Sequence, residues 1–166
     1  MMLMNKDAAE FVLRPIGTIR TPFSGASGTP IQSRYAPGAE GTVEIFAEFE
    51  PGLRDIDGFD RLWLIYLFDR ASEPQLLVRP YLDSAEHGVF ATRAPARPNQ
   101  IGMSSVRLLR VEGARLFVAD VDMLDGSPLL DIKPCIPEFD YLAARRIGWL
   151  EGRFTEGAVA DSRFER

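Results

Sequence analysis

Cysteine occurs once in the 166 residues, as Cys135, and histidine once, as His87. A single thiol excludes an intramolecular disulfide and a multi-cysteine zinc site, and a single imidazole excludes a histidine-rich metal site. No metal is therefore expected. Lysine is almost as scarce, with only Lys6 and Lys133. Anion recognition then rests on arginine, whose planar guanidinium grips carboxylate or phosphate in a bidentate fork. No apolar run approaches the ~20 residues that span a bilayer, and the longest, residues 62–68, has the length of a strand. Residues 1–10 carry Lys6, Asp7 and Glu10 and lack the apolar core of a signal peptide. The expectation is a cytoplasmic protein with no membrane contact. Excess positive charge is also missing. The formal net charge is −5 and the isoelectric point about 5.0, so bulk electrostatics does not draw the chain onto nucleic acid, and a local basic patch is what such binding would require.

Nucleotide-binding and hydrolase fingerprints are absent too. No Gly-x-Gly-x-x-Gly follows a strand, no Gly-Lys pair forms a phosphate-binding loop, and there is no Gly-x-Ser-x-Gly elbow. His87 lies in a polar stretch and reads as an exposed loop residue rather than a triad base. Cys135 reads as a small residue at the edge of the core, since a nucleophilic thiol needs a base and an electropositive site.

What the chain does have is many short strand patterns. Residues 11–20 read as a strand and residues 21–41, rich in Gly, Pro and Ser, as a long loop. A loop of about twenty residues inside one domain is commonly functional. Residues 42–49 alternate, with Val43, Ile45, Ala47 and Phe49 on one face. Residues 51–58 form a short turn or a single helical turn, and residues 62–68, apolar on both faces, a buried central strand. Residues 76–81 and 88–92 add strands, residues 105–111 and 115–123 form a hairpin around Gly113, and residues 129–132 add one more. The only helix pattern covers residues 140–151, with Asp140 as N-cap and Gly152 as stop. Composition and length give one domain: a flexible tail over 1–10, then a mainly-β, small single-domain β-barrel with long loops and a C-terminal helix over 11–166.

Two segments carry chemistry. Residues 90–102, FATRAPARPNQIG, set Arg93, Arg97 and Asn99 on a proline-stiffened loop. As composition alone, this is equally a rigid surface loop with solvated arginines. Residues 122–140, DMLDGSPLLDIKPCIPEFD, contain the turn Asp125-Gly126-Ser127-Pro128. Asp131 and Lys133 stand two apart, hence on one side of an extended chain. They either form an exposed ion pair worth ~0–1 kcal/mol, or one tunes the other as a base.

These two segments, together with PIGTIRTPF near the start, Pro30-x-Gln32 in the long loop and GFDRLWLIYLF over residues 58–68, resemble the TsaA-like family. Its characterised members are the TrmO tRNA methyltransferases. The resemblance spans residues 14–140 and implies a small β-barrel that binds S-adenosylmethionine without a Rossmann fold, as a homodimer. It also implies methylation of N6 of threonylcarbamoyladenosine beside the tRNA anticodon. The family's cofactor positions fall on Gln32, Ser33 and Arg34, on Asp69 and Arg70, on Arg93 and Met103, and on Asp125, Gly126, Ser127 and Pro128. Three residues depart from the family pattern: Asp69 in place of His, Gln100 in place of Pro, and Cys135 in place of Tyr. Cys135 is expected beside the cofactor turn, where a lost ring weakens RNA stacking.

Methyl transfer is an in-line displacement that needs donor and acceptor at near-attack distance. Adenine N6 is a poor nucleophile, and a carboxylate that accepts its proton helps. Asp131 is the expected base, with Lys133 and Arg97 binding phosphate or substrate carboxylate and Asn99 reading a base edge. Besides a tRNA methyltransferase, the sequence admits a methyltransferase with another substrate, or a non-enzymatic S-adenosylmethionine-binding module.

Overall fold

Six consecutive apolar residues, within the strand Arg61–Leu67 (β3), show how this chain folds: Leu62, Leu64 and Tyr66 are buried while Trp63, Ile65 and Leu67 are half-buried. The computed structural model describes residues 11–165, so the tail expected over 1–10 lies outside them. The inward period of two is shared by Gly17–Arg20 (β1), Glu40–Ile45 (β2), Ile101–Glu112 (β6), Arg115–Ala119 (β7) and Ser127–Pro134 (β8). These strands and β3 close into an antiparallel barrel in the order β1-β2-β7-β6-β3-β8, with β8 returning to β1. Ile19, Val43, Leu62, Leu64, Val106, Leu116, Val118 and Leu129 fill the interior. The both-sided apolarity of β3 thus reflects a barrel wall, one face lining the core and the other partly covered from outside.

Register shifts bend the wall. β6 gains an extra residue between Leu108 and Arg110 against β7, and β8 one against β3 between the partners of Ile65 and Tyr66. Such bulges sharpen local twist and let strands curl into closure. Beside the barrel, residues 68–100 form an annex. Its strands are shorter than expected, Leu77–Val78 (β4) and His87–Gly88 (β5), and its own small core is Val78, Val89, Ala94, Ala96 and Phe164.

Three expectations are corrected. The strand expected over 42–49 ends at Ile45, and Ala47–Leu53 winds as a 3-10 helix instead. The Phe46 amide donates to the Ile16 carbonyl, and Pro51 has no amide to extend a ladder. The helix expected over 140–151 does not form. One α-turn, Pro137–Asp140 (α1), and a 3-10 turn, Gly148–Leu150, stand in its place. A short helix needs an apolar face to bury, yet Leu142 and Ile147 remain exposed. Asp140, the expected N-cap, instead accepts hydrogen bonds from the Ile136 amide (2.8 Å) and Trp63 Nε1 (3.0 Å). Finally, His87 is no free loop residue: its ring stacks on Trp149 at 4.4 Å, and Nε2 lies 3.0 Å from Asp83 Oδ2.

Gly102 holds the crossing of β6 over β3 close. A Cβ there would meet the Tyr66 ring at 2.4 Å and Phe68 at 2.9 Å. Gly102→Ala is therefore expected to lower stability by about 1–3 kcal/mol through overpacking. Thermal melting checks this, and an unchanged Tm would mean that the Tyr66 ring yields freely.

Candidate functional site

Strand direction brings the loops to one barrel end. β3 finishes there with Tyr66 and Leu67 and continues to Phe68, Asp69 and Arg70, β6 begins there with Ile101, Gly102 and Met103, and β8 with Ser127. The long loop after β1 supplies Gln32, the proline-rich loop Arg93 and Arg97, the segment before β8 Asp122, and the C-terminal segment Phe164 and Glu165. Together they enclose a cavity of about 270 Å³. A second chamber of about 530 Å³ opens beside it, walled by Phe90, Trp149 and Phe154 among others. Gln32, Tyr81, Arg93 and Phe164 border both.

The C-terminal segment is held by the long loop. Gly28 and Ile31 amides donate to Ala160 and Ala158 carbonyls, and the Ala160 amide returns a bond to Thr29. Val159 bridges to Pro30 and Glu165 to Ala71.

Several expected cofactor positions converge. Gln32, Asp69, Arg70, Arg93, Met103 and Ser127 all line the cavity. Arg93 Nη1 donates to Gln32 Oε1 at 2.6 Å, tying the proline-rich loop to the long loop. Arg70 Nη2 donates to the Asp125 carbonyl at 2.8 Å, and its Nε lies 3.6 Å from Asp69 Oδ1. Met103 is about half exposed and offers a soft apolar surface.

Others brace this wall without lining it. The Asp125 carboxylate accepts from the Thr21 amide at 3.1 Å. Gly126, at φ +81°, makes the turn possible and donates to the Ile19 carbonyl. Pro128 pairs with Thr18 in the sheet. Ser33 and Arg34 sit on a 3-10 turn, Arg34 exposed to solvent.

The expected catalytic set does not assemble. Asp131 Oδ2 and Lys133 Nζ form a 2.7 Å ion pair on exposed barrel surface, and neither lines the cavity. Their positions in β8, opposite Ile65 and Trp63, point to the other face of the wall. Asn99 is exposed and outside the cavity lining. Arg97 does line it, but its Nη1 donates to the carbonyls of Thr92, Ala94 and Val89, clamping its own loop. Cys135 is not beside the Asp125-Gly126-Ser127-Pro128 turn. The whole of β8 separates it from Ser127, roughly 25 Å at strand rise. Burial and the neighbouring Asp140 push its thiol up, away from the reactive thiolate. Gln100, the second departure, braces the fold, its Nε2 donating to the Ser72 carbonyl at 2.8 Å.

Sequence reasoning passed over Asp122, Tyr66 and Phe164. Asp122 lies in the cavity lining between buried Val121 and Met123, and that placement of a carboxyl between two core residues was the available signal. Burial pushes its carboxyl up to about 6, against the pull of the Ser104 hydroxyl and the Ser33 amide. Tyr66 Oη and Ser104 Oγ lie 3.1 Å apart. Burial first, and Asp122 second, raise the Tyr66 phenol well above its ordinary range, so it stays protonated.

Among the described residues no group of three or more His, Cys, Asp or Glu is placed to hold a metal, and no helix is long and apolar enough to cross a membrane.

Comparisons with known proteins show the family. A probable S-adenosyl-L-methionine-binding protein of Pyrococcus abyssi is 55% identical over 153 residues, 91% of this chain and 83% of its own length. The human tRNA (adenine(37)-N6)-methyltransferase is 32% identical over 141 residues, 81% of this chain but only 32% of that protein. The crystal structure of TrmO from Pseudomonas aeruginosa superposes with a TM-score of 0.71 at 39% identity, covering 84% of this chain and 62% of that one. The chain thus spans less than two thirds of the crystallised protein. The family model of the tRNA-methyltransferase O N-terminal domain matches residues 18–141, the barrel together with both signature loops, and the chain belongs to that family.

Proposed function

We propose that this chain is an S-adenosylmethionine-dependent methyltransferase acting on N6 of a tRNA adenine beside the anticodon, with the barrel-end cavity as the cofactor site and residues 11–166 as the working unit. The observation that carries the reading is the convergence of both signature loops on one cavity whose chemistry suits that cofactor. Phe68, Met103 and Leu124 give apolar surface for an adenine ring and a thioether. Arg93 offers a guanidinium to the amino-acid carboxylate. Asp69 supplies a carboxylate for cationic groups and ribose hydroxyls. The cofactor supplies an electrophilic methyl group. The chain's residues hold it, exclude water and aim the acceptor. The human relative's name specifies adenine 37 of tRNA, and the threonylcarbamoyl form of that base is the substrate proposed here.

The second chamber supports RNA as the acceptor. Unpaired bases are held by stacking on aromatic rings, and such contacts need no high net charge. Phe90, Trp149 and Phe154 offer such rings next to Arg93, on a chain whose net charge is −5.

A homodimer in the cytoplasm completes the proposal. Phe139, Tyr141 and Leu142 leave large apolar side chains exposed within four residues, of the kind an isologous interface covers. Sedimentation at micromolar concentration is expected to give a dimer, and a clean monomer overturns this.

The deciding experiment incubates the chain with labelled S-adenosylmethionine and threonylcarbamoyladenosine-bearing tRNA, followed by nucleoside analysis. Label on N6 of that nucleoside is expected, and label elsewhere or none overturns the substrate. In parallel, calorimetry should show Arg93→Ala weakening cofactor binding about tenfold, the loss of one charge-assisted hydrogen bond. Unchanged affinity removes Arg93 from the site. Trp149→Ala should raise KM for tRNA about tenfold by loss of one stacking surface and leave cofactor affinity unchanged. An unchanged KM removes the second chamber from RNA binding.

A further inference from the structure

Resting on the methyltransferase reading, we propose that Asp122 is the proton acceptor of the reaction: its carboxylate takes the N6 proton of the target adenine as the N6–methyl bond forms. The role expected of Asp131 passes to a residue that lines the cavity.

The first ground is position. Asp122 faces the cavity from the segment that leads into β8, anchored on either side by Val121 and Met123 in the barrel core. A base held by buried neighbours keeps its aim. The second ground is an empty acceptor. Asp122 Oδ1 is buried and has no hydrogen-bond partner among the described residues. Buried polar atoms almost always find partners, and exceptions point to a missing ligand group or a catalytic role. What fits an unpartnered carboxylate oxygen is an N–H or O–H donor, and the N6–H of an acylated adenine is such a donor.

The surroundings keep that oxygen available. Ser104 from β6 and the Ser33 amide from the long loop face the carboxylate, with Tyr66 from β3 and Arg93 from the proline-rich loop nearby. The cavity's other charged groups are Asp69, Arg70, Arg97 and Glu165. Arg70 is engaged with Asp69 and the Asp125 carbonyl, and Arg97 with three carbonyls of its own loop. Arg93 is held by Gln32. No ion pair to Asp122 shorter than 4 Å is formed among the described residues.

The step balances. The nitrogen lone pair forms the N6–CH3 bond while the donor's S–CH3 bond breaks and leaves its electrons on sulfur, which loses its positive charge. The N6 proton passes to Asp122 Oδ1, the N–H electrons stay on nitrogen, and the proton later leaves to solvent. Burial pushes the Asp122 carboxyl up to about 6. It is then a stronger base than an ordinary carboxylate and still ionised near neutral pH. The rate is absent while Asp122 is protonated and rises with pH through that value to a plateau.

The test compares the unsubstituted chain, Asp122→Asn and Ser104→Ala. Carbonyl-carbon NMR of the free protein should show Asp122 titrating near pH 6, a readout independent of turnover. Asp122→Asn should lower the methylation rate at saturating labelled S-adenosylmethionine and tRNA by about 10²-fold, the usual scale of general base catalysis. The rising acidic limb of the pH profile should vanish with it, while calorimetric cofactor affinity stays within about threefold, well under the cost of losing a charged contact. Ser104→Ala removes a hydroxyl that favours the ionised carboxyl, so both the NMR titration and the acidic limb should move to higher pH. This variant serves the test even if Asp122→Asn fails to fold. An equally active Asn variant, an acidic limb that survives in it or stays fixed in Ser104→Ala, or cofactor affinity falling in step with rate overturns the base. Absence of transfer by the unsubstituted chain at every pH overturns the methyltransferase reading itself.

Discussion

Everything at the cavity depends on how β8 is seated. It pairs with β1 through Gly17↔Leu129 and Ile19↔Ser127, and with β3 from Leu62↔Pro134 to Tyr66↔Leu129. This double pairing closes the barrel and fixes where the Asp125-Gly126 turn emerges. Gly126 then donates to Ile19, Asp125 to the Phe23 carbonyl, and the Thr21 amide to the Asp125 carboxylate. The long loop leaves β1 already stitched to the turn. Gly17 shows how tight closure is: a Cβ there would stand 2.3 Å from the Glu44 carbonyl oxygen. A turn pinned by backbone bonds on both sides holds position better than one resting on side-chain contacts, which is what an aligned displacement demands.

A comparable brace works at the other rim of the wall. Asp120 accepts from the Gly38 amide at 2.9 Å and from Arg61 at 3.1 Å, with Arg107 at 3.6 Å. Burial works against its ionisation, yet the Gly38 amide and the two guanidiniums outweigh it and hold the carboxyl below the usual range. Asp120 and Asp122 stand two residues apart and differ in their supply of donors. One carboxylate is saturated with them and serves the fold. The other is undersupplied and remains available for chemistry.

Much of this was legible in the sequence, for reasons that differ by residue. The alternation of β2 marks a strand because one barrel face is buried, the apolar run of β3 marks a wall covered on both sides, and the Gly113 turn marks the β6–β7 hairpin. Loop residues such as Gln32, Arg70, Arg93 and Ser127 were reached only through the resemblance to the family's motifs, and all four line the one cavity. The C-terminal helix was not legible: its apolar spacing exists, but nothing packs on it, and propensity without burial does not make a helix. Asp131 and Lys133 illustrate a second limit. Their spacing gives a shared face, but which face the barrel turns inward is set by the bulge in β8 and by the neighbouring strands. Asp122 between Val121 and Met123 left a local trace, a carboxyl flanked by core residues, but its unmet acceptor is a property of packing that no local pattern records.

The C-terminal segment adds a wall that the matched family residues 18–141 do not contain. Its backbone pairs with the long loop, and Phe164 packs into the annex core while also facing the cavity. The tail therefore couples three elements: the long loop, the annex and the cavity. Enclosure of this kind matters because the strength of every charge in the site depends on how much water it meets. Tyr81 sits at the same boundary, against Phe164 at 5.3 Å with their rings edge to face. Burial, with Asp161 beside it, pushes its phenol up to about 12, so Tyr81 adds no charge to the wall it shares with the second chamber. In the reading proposed above, a boundary of two aromatic rings, Tyr81 and Phe164, with the Arg93 guanidinium set into it divides a cavity for a cationic donor from a chamber for a flat base.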